Sequence, residues 1–377
     1  MKLFFRFVIL FMGFKVAELC LGALGFLLIV PIADAGDVPW LMEVTTVPVV
    51  TKVESLGRIE PLLADESGSV VVSLDEWKRL RNDIRENWLM FLGPMPEPRP
   101  AIKLDVIRFE QLAGVTRQLI RYEGEPGIFV EGHLLIPNKL AEETAKRPAI
   151  LALHPTTNAT IDDIAGVSGL ETKQFGLKLA ERGFVVFCPR CFLWQDAPDF
   201  ETAVAKHRER HPKSLGMAKM LYDAMRGVDV LASLSEVDAS RIGAIGHSLG
   251  AKEALYLAAF DERVKVAVAS EGGIGFRSTN WDAPWYLGEQ INEPTFPLNH
   301  HQLLGLIAPR PFLILGGESG PGAADGDRSW PLINAAIPVW NLYGQPTRLG
   351  LLNHHQGHTV STESFESMAQ WLSAYLE

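Results

Sequence analysis

From Pro148 to the C-terminus, short apolar runs alternate with longer stretches of helical periodicity. The runs are apolar along their whole length rather than at every second position, which indicates strands covered on both faces. Such strands, separated by helices, are typical of a mostly parallel sheet. The sequence therefore predicts an α/β fold with a mostly parallel, doubly covered sheet. The predicted strands are residues 149–153, 184–187, 241–245, 264–269, 311–315 and 348–352.

The part of the chain before this alternation has a different pattern. Residues 118–122 and 128–136 read as an antiparallel pair that precedes the main sheet. A helical run over 75–88 ends in a segment with Pro94, Pro96 and Pro98, which indicates a break. We therefore predict an N-terminal extension over residues 36–100, partly helical, and one large α/β domain over 101–377.

The N-terminus has the features of an export signal. Positive charge at Lys2, Arg6 and Lys15 accompanies an apolar run over 19–32. Ala33-Asp34-Ala35 then supplies the spacing of small residues that a signal peptidase accepts. We predict a signal peptide over 1–35 and a secreted or periplasmic protein. The alternative is an uncleaved segment that anchors the protein in a membrane.

The charge balance narrows the range of partners. The chain has 35 Lys and Arg against 45 Asp and Glu, for a formal net charge of -10. This sign argues against nucleic acid or an anionic membrane surface as the main partner. We expect a small-molecule or carbohydrate substrate, no nucleic acid and no stable membrane partner after signal removal. The sequence leaves the oligomeric state open.

The segment Gly246-His247-Ser248-Leu249-Gly250 follows a predicted strand and precedes a predicted helix. In a sharp turn between strand and helix, the central serine is held out for attack, and glycines on either side let the backbones pack closely. The string alone is a weak signal, but its position between strand and helix makes it specific. We predict Ser248 as a nucleophile.

A serine hydroxyl needs a base to take its proton. Where the serine lies on such a turn, an acid and then a histidine follow it in the chain. His358 follows a glycine in the loop before the last predicted helix and is our predicted base. His354 and His355, at the end of the preceding strand, are the competing candidates.

The acid is expected in the loop after the strand 311–315. Asp327, just before the next helix, is the first candidate, with Asp325 and Glu318 as alternatives. Glu271, after an earlier strand, is a further alternative. A buried carboxylate at one of these positions would fix the tautomer of the imidazole and stabilise the imidazolium.

The oxyanion of an acyl-transfer reaction needs two N–H donors. One is normally the amide of the residue after the nucleophile, here Leu249. The other should come from the loop after strand 149–153. Pro155 has no N–H to donate, so Thr156 is the candidate and Thr157 the second choice.

With these residues assigned, the chain from about Arg79 onward resembles the α/β-hydrolases grouped with dienelactone hydrolases and acetyl xylan esterases. The resemblance implies cleavage of carboxylic esters without a cofactor, often on exported or carbohydrate-linked substrates. Two departures stand out: dienelactone hydrolases have cysteine where this chain has Ser248, and His154-Pro155 stands where many members have His-Gly. The resemblance rests on residues 153–157, 236–243, 246–250, 301–304 and 308–311.

The remaining motifs have simpler interpretations. Cys188 and Cys191 fit a local disulfide or two buried thiols better than a redox pair. His207 and His211 lie one helical turn apart, but the charged residues around them predict a solvated helix or loop. No third ligand is evident, and we predict no metal. The aromatic group Trp281, Trp285 and Tyr286 fits a substrate cleft or a packed cap equally well.

The sequence thus predicts an exported serine ester hydrolase for short acyl, acetyl-type esters, possibly carried on a carbohydrate. A serine peptidase or acyltransferase with the same triad is the alternative enzyme. A non-catalytic binding protein on this scaffold is the alternative from another class.

Overall fold

The computed structural model describes residues 59–64, 68, 70–138, 145–319 and 322–377. The predicted signal peptide and residues 36–58 of the predicted extension lie outside the described residues. Within the described part of the chain, no helix is both long and apolar enough to cross a membrane.

Nine strands of the described chain form one sheet in the order β1-β2-β3-β5-β4-β6-β7-β8-β9. The first three strands and the β3–β5 pair are antiparallel, and every pair from β5 to β9 is parallel. The strands are β1 (Asp105–Gln111), β2 (Val115–Glu125), β3 (Ile128–Pro137), β4 (Arg147–Leu153), β5 (Val185–Pro189), β6 (Val237–His247), β7 (Val264–Ser270), β8 (Phe312–Gly316) and β9 (Leu349–Asn353).

Helices cover both faces of this sheet. Two clusters of buried apolar side chains form the core, one with strong contributions from α5 to α8 and the other from α3 and α9. The helices are α1 (Leu74–Leu92), α2 (Ile161–Ile164), α3 (Phe175–Glu181), α4 (Phe200–Arg210), α5 (Gly216–Ser233), α6 (Leu249–Phe260), α7 (His300–Ile307), α8 (Trp330–Leu342) and α9 (Thr362–Leu376).

Helix α1 begins at a capping box, in which Ser73 and Glu76 each accept from the other's main-chain N–H. Its apolar face is buried together with the main core, and Trp77 and Trp88 are fully buried. Trp88 stacks on His300 of α7 at 5.8 Å between ring centroids, and its Nε1–H donates to Gln302 at 3.1 Å. The helix of the predicted extension is therefore part of the same hydrophobic core.

The predicted α/β-hydrolase fold is confirmed. The parallel strands appear where the apolar runs indicate them, and the predicted antiparallel pair corresponds to β2 and β3. Strand β1 was not predicted, because almost all of its side chains are exposed and it has no buried face to impose an alternating pattern.

Candidate active site

Strand β6 runs into helix α6 through a one-residue turn at Ser248. The serine has φ 58° and ψ −116°, a conformation that L-residues rarely adopt. Its main-chain N–H donates to the carbonyl oxygen of Ser270 on the neighbouring strand at 2.8 Å. This bond ties the strained turn to the carboxyl edge of the parallel strands, where ligands bind in sheets of this type.

The two glycines of the turn are required by close backbone contacts. A Cβ added at Gly246 would lie 2.0 Å from the carbonyl oxygen of Gly250. One added at Gly250 would lie 2.1 Å from the carbonyl oxygen of Leu153, at the end of β4. The Gly-x-Ser-x-Gly pattern therefore follows from packing of three backbone segments around the serine.

Ser248 and His358 line one cavity of about 270 Å³. His358, in the loop between β9 and α9, keeps about a third of its side chain exposed. The other residues that line the cavity are Thr156, Phe200, Leu249, Lys252, Glu271, Thr279, Asn280, Trp285, Tyr286, Gly322 and Ala324. The cavity thus brings together four of the five predicted site residues, namely Ser248, His358, Leu249 and Thr156.

The three histidines near the C-terminus have different partners. In His354, Nδ1 accepts from the N–H of Gln356, and Nε2 lies 2.9 Å from Glu271 Oε1 without the alignment of a hydrogen bond. His355 is mostly exposed, and its Nδ1 contacts Glu318 at 2.9 Å. His358 has its Nδ1 on the side of Glu271 and is the histidine that shares the cavity with Ser248.

Glu271 is the carboxylate that faces His358. It directly follows β7, has φ 59°, and its side chain is fully buried. Its Oε2 lies 3.9 Å from His358 Nδ1, a separation that can shorten when substrate binds. Two amides of the loop after β8 also donate to it, Gly317 at 2.6 Å and Ala324 at 3.2 Å.

The surroundings of Glu271 keep it ionised. Burial raises its pKa, but the contacts with His354 and His358 and the two amide donors lower it by more. The net result is a pKa of about 2. A buried carboxylate that remains negative can orient a neighbouring imidazole and stabilise the imidazolium.

The other carboxylates considered from the sequence have different partners. Asp327, the first candidate, accepts from the side-chain amide of Asn353 at 2.9 Å and does not line the cavity. Asp325 is fully buried and accepts from the amides of Gly273 and Ile274 and from the Ser329 hydroxyl. The structure therefore brings Glu271, and neither Asp327 nor Asp325, to His358.

The loop of the predicted oxyanion donor Thr156 is anchored by a buried histidine. His154 Nε2 accepts from the Cys191 amide at 3.0 Å, so its Nδ1–H must donate to the Pro155 carbonyl at 2.8 Å. Burial lowers the pKa of His154 to about 4, which keeps the ring neutral. Leu249 is the first residue of α6, where amides have no partner within the helix.

Lys252 is a cavity residue that the sequence reasoning missed. It lies one helical turn after Ser248, and its ammonium group contacts the Thr279 hydroxyl and the Asn280 carbonyl oxygen. Burial lowers its pKa to about 7. The spacing Ser248-x-x-x-Lys252 on a predicted helix could have indicated it, since residues four apart share a helix face.

Of the three aromatic residues predicted to form a substrate cleft or a packed cap, some fit the first interpretation and one fits the second. Trp281 is fully buried, donates to the Gly273 carbonyl and packs against Lys252, so it belongs to the wall behind the cavity. Trp285 and Tyr286 line the cavity itself, together with Phe200 at the start of α4. Phe200 and Trp285 meet edge to face at 5.3 Å between ring centroids.

Other polar motifs lie in the interior. Cys188 and Cys191 are free buried thiols whose pKa burial raises, so they are not activated as nucleophiles. His207 is fully buried rather than solvated, and burial lowers its pKa to about 4. Among the described residues, no group of three or more His, Cys, Asp or Glu side chains could hold a metal ion.

Several known proteins resemble this chain in sequence or in fold. Residues 143–296 match the family described as "Dienelactone hydrolase family", which confirms the resemblance inferred from the residues. The chain is 27% identical over 253 residues to the Bacillus subtilis protein named "Putative hydrolase YtaP", covering 63% of this chain and 81% of that protein. It is also 27% identical over 169 residues to a 4-O-methyl-glucuronoyl methylesterase of Phanerochaete carnosa.

The second match covers 36% of this chain and 40% of that methylesterase, so this chain spans less than half of that relative's length. Among solved structures, a glucuronoyl esterase from Solibacter usitatus superposes with a TM-score of 0.69. That superposition covers 87% of this chain and all of the other, at 20% sequence identity. It shows that the two chains share a fold.

Proposed function

We propose that this α/β-hydrolase is an exported serine carboxylic-ester hydrolase that works through an acyl-enzyme. Ser248 is the nucleophile, His358 the general base and acid, and Glu271 the carboxylate that orients His358. The observation that carries the proposal is the shared cavity of Ser248 and His358, with the ionised Glu271 behind the imidazole. The proposed nucleophile, acid and base lie in the loops after β6, β7 and β9, at the same edge of the sheet.

In the first half of the reaction, Ser248 Oγ attacks the ester carbonyl carbon while His358 Nε2 takes the hydroxyl proton. The tetrahedral intermediate collapses, the alcohol leaves with the proton from His358, and an acyl-serine remains. In the second half, water attacks the acyl-serine, with His358 again acting as base. Release of the acid restores the free hydroxyl of Ser248.

The negative charge on the intermediate needs donors that are already oriented. We assign this role to the amides of Leu249 and Thr156. The Leu249 amide is supported by its position at the first residue of α6, where the helix dipole adds partial positive charge. The Thr156 amide is supported by the loop that His154 anchors to Cys191.

The cavity suits an ester with one small group and one polar, ring-shaped group. Lys252, Thr279 and Asn280 supply hydrogen-bonding groups, and Phe200 and Trp285 supply aromatic surface. We therefore propose a carbohydrate-linked ester, either an acetylated sugar or a methyl ester of a sugar acid. Relatives named methylesterases and glucuronoyl esterases are consistent with the second type.

The size of the acyl group can be tested with 4-nitrophenyl acetate, butyrate and decanoate. The cavity of about 270 Å³ should favour acetate. Each methylene changes transition-state binding by about 1–3 kcal/mol at most, so kcat/KM should fall gradually with chain length. A maximum at decanoate would contradict the small-group proposal. Comparing kcat/KM for acetylated xylo-oligosaccharides with that for methyl glucuronate distinguishes the two proposed types of sugar ester.

The decisive test is covalent labelling with a fluorophosphonate, which reacts with activated serines. The wild-type protein should be labelled at Ser248, as read by mass spectrometry of peptides. Ser248→Ala should remain folded, escape labelling and lose on the order of 10³-fold or more in kcat. A folded Ser248→Ala protein with near-normal turnover would refute the proposal. Absence of both labelling and turnover in the wild type would favour a binding protein on this scaffold.

Export is the part of the proposal that depends on the N-terminus alone. The basic residues, apolar run and Ala33-Asp34-Ala35 support cleavage before Gly36. Expression of the full chain in a bacterial host, followed by N-terminal sequencing of the secreted or periplasmic protein, tests it. A protein retaining Met1 in the membrane fraction would instead indicate an anchor.

A further inference from the structure

We infer that His354 is a positioning residue that holds the acid of the triad through a neutral hydrogen-bond donor. The inference rests on the proposed function and deepens it, because it assigns a task to a histidine outside the triad. His354 lies at the junction of β9 and the loop that carries His358, and only 9% of its side chain is exposed. Its ring lies against the backbone of Gly317, where an added Cβ would come within 2.7 Å of Cε1.

The tautomer of His354 follows from its partners. The main-chain N–H of Gln356 lies 3.1 Å from Nδ1 and can only donate. Nδ1 must therefore accept, and it carries no proton. In the neutral imidazole the single proton then lies on Nε2. That nitrogen lies 2.9 Å from Glu271 Oε1, although its N–H is not aligned with the oxygen in this structure. A rotation of the ring completes the hydrogen bond in the arrangement that we infer.

A neutral donor has a specific advantage at this position. Lysine or arginine at the same distance would offset the negative charge that Glu271 must present to His358. The N–H of neutral His354 orients the carboxylate and favours its ionised form without cancelling its charge.

The two oxygens of Glu271 therefore divide their contacts. Oε1 accepts from the Gly317 amide and lies beside His354 Nε2, and we assign to these two groups the task of fixing the carboxylate in place. Oε2 receives the Ala324 amide and faces His358 Nδ1. The other titratable groups nearby are His247, whose ring lies 4.8 Å from that of His358, and Asp325. Burial lowers the pKa of His247 to about 3, which leaves that ring uncharged as well.

The first test separates the donor from the bulk of the ring. His354→Leu removes the N–H, whereas His354→Gln retains an amide N–H at a similar reach. We expect His354→Leu to lower kcat by about ten-fold or more, the effect of one lost hydrogen bond to a charged group, with KM within about three-fold. His354→Gln should retain kcat within about three-fold of the wild type.

The matched control is His355→Asn. His355 is the adjacent histidine, has φ 55°, and contacts Glu318 at the exposed surface. Asparagine tolerates a positive φ, so this variant tests the loop without touching the acid. It should leave both kcat and KM unchanged. Circular dichroism and thermal unfolding of all three variants would show that each is folded.

The second test does not depend on activity. In ¹⁵N NMR of the histidine rings at neutral pH, His354 should show an unprotonated Nδ1 and a protonated Nε2. The opposite tautomer, or protonation of both nitrogens under the same conditions, would overturn the inference. So would folded His354→Leu protein with wild-type kcat.

The two proposals fail in different ways. If the wild-type protein neither hydrolyses esters nor reacts with a fluorophosphonate, the proposed function is wrong, and a role of His354 in that reaction is wrong with it. If the wild type is active and His354→Leu matches it, only the positioning role is wrong. Loss of activity in both His354→Leu and folded His354→Gln would also contradict it, because the retained donor should rescue.

Discussion

Two loops at the carboxyl edge of the sheet each contribute a fully buried carboxylate, Glu271 after β7 and Asp325 after β8. Each carboxylate accepts hydrogen bonds from two amides of the other loop. Glu271 binds the amides of Gly317 and Ala324, and Asp325 binds those of Gly273 and Ile274. The two acids thus join their loops in both directions.

The difference lies in the third partner of each acid. Glu271 also contacts the imidazoles of His354 and His358, and the sum of these contacts lowers its pKa to about 2. Asp325 also accepts from the Ser329 hydroxyl, and burial raises its pKa. Equal burial therefore has opposite outcomes, because only one site has imidazoles that favour the charged form.

Burial of a carboxylate alone therefore does not determine its function. Both loops follow parallel strands, and either could have supplied the acid. The one whose oxygens face a histidine that shares a cavity with Ser248 is suited to catalysis. The other is suited to hold the loop that carries Gly273 and Ile274.

The largest expected effect is on the catalytic side of the comparison. Glu271→Gln removes the negative charge behind His358 and should lower kcat by roughly 10²–10⁴-fold. Asp327→Asn is the matched control at the first position predicted from the sequence, and it should retain kcat within about three-fold, since its partner is Asn353. Steady-state ester hydrolysis measures both. The reverse ranking would return the acid to Asp327.

The second expected effect is on stability. Asp325→Asn keeps the shape of the side chain but turns an N–H₂ group toward a main-chain N–H. A buried donor left without a partner costs about 1–3 kcal/mol of the free energy of unfolding. We expect that loss in urea denaturation while kcat stays within about five-fold of the wild type. A large loss of kcat in a stable Asp325→Asn protein would show that the two acids are not separable.

The smallest effect is on the pH dependence of stability. Folding lowers the pKa of Glu271 from its ordinary 4.5 to about 2, so its contribution is complete above pH 4.5 and is lost as the pH falls toward 2. The shift corresponds to about 3 kcal/mol at most. Folding raises the pKa of Asp325 above 3.8, so stability is lost as the pH rises from 3.8 through the pKa of the folded state.

Urea denaturation between pH 3 and 6 can resolve these opposite signs. The difference in free energy of unfolding between wild type and Glu271→Gln should shrink as the pH falls. The difference between wild type and Asp325→Asn should change in the other direction. Equal slopes for the two variants would mean that the two acids have the same environment.

Much of the fold could be predicted from the sequence, because a sheet covered on both faces requires strands that are apolar throughout. Strands β4 to β9 contain such apolar runs, and the two glycines around Ser248 mark the turn. The pattern is silent for β1, since its exposed side chains carry no burial signal. His207 was interpreted as solvated because its neighbours in sequence are charged, although its own helix face is buried.

The site was harder to predict where it depends on tertiary contacts. Ser248 and His358 stand in local contexts, a turn and a loop, that sequence can describe. The proposed acid is the carboxylate whose loop faces the imidazole. From the sequence alone, Glu271 and Asp327 both lie in loops after predicted strands, and only the order of the strands in the sheet separates them. The spacing from Ser248 could have indicated that Lys252 lies at the cavity. The role of His354 depends on contacts across loops, which no sequence spacing encodes directly.

The backbone crowding around Ser248 has a consequence for how such proteins can diversify. Any side chain at Gly246 or Gly250 would overlap a main-chain oxygen at about 2 Å. The side chain of Ser248, the proposed nucleophile, in contrast lines an open cavity. The fold therefore excludes side chains at Gly246 and Gly250, which carry no reactive group, and leaves room for other side chains at position 248. An engineer seeking a new reaction should exchange the nucleophile and the cavity lining, and leave the two glycines untouched.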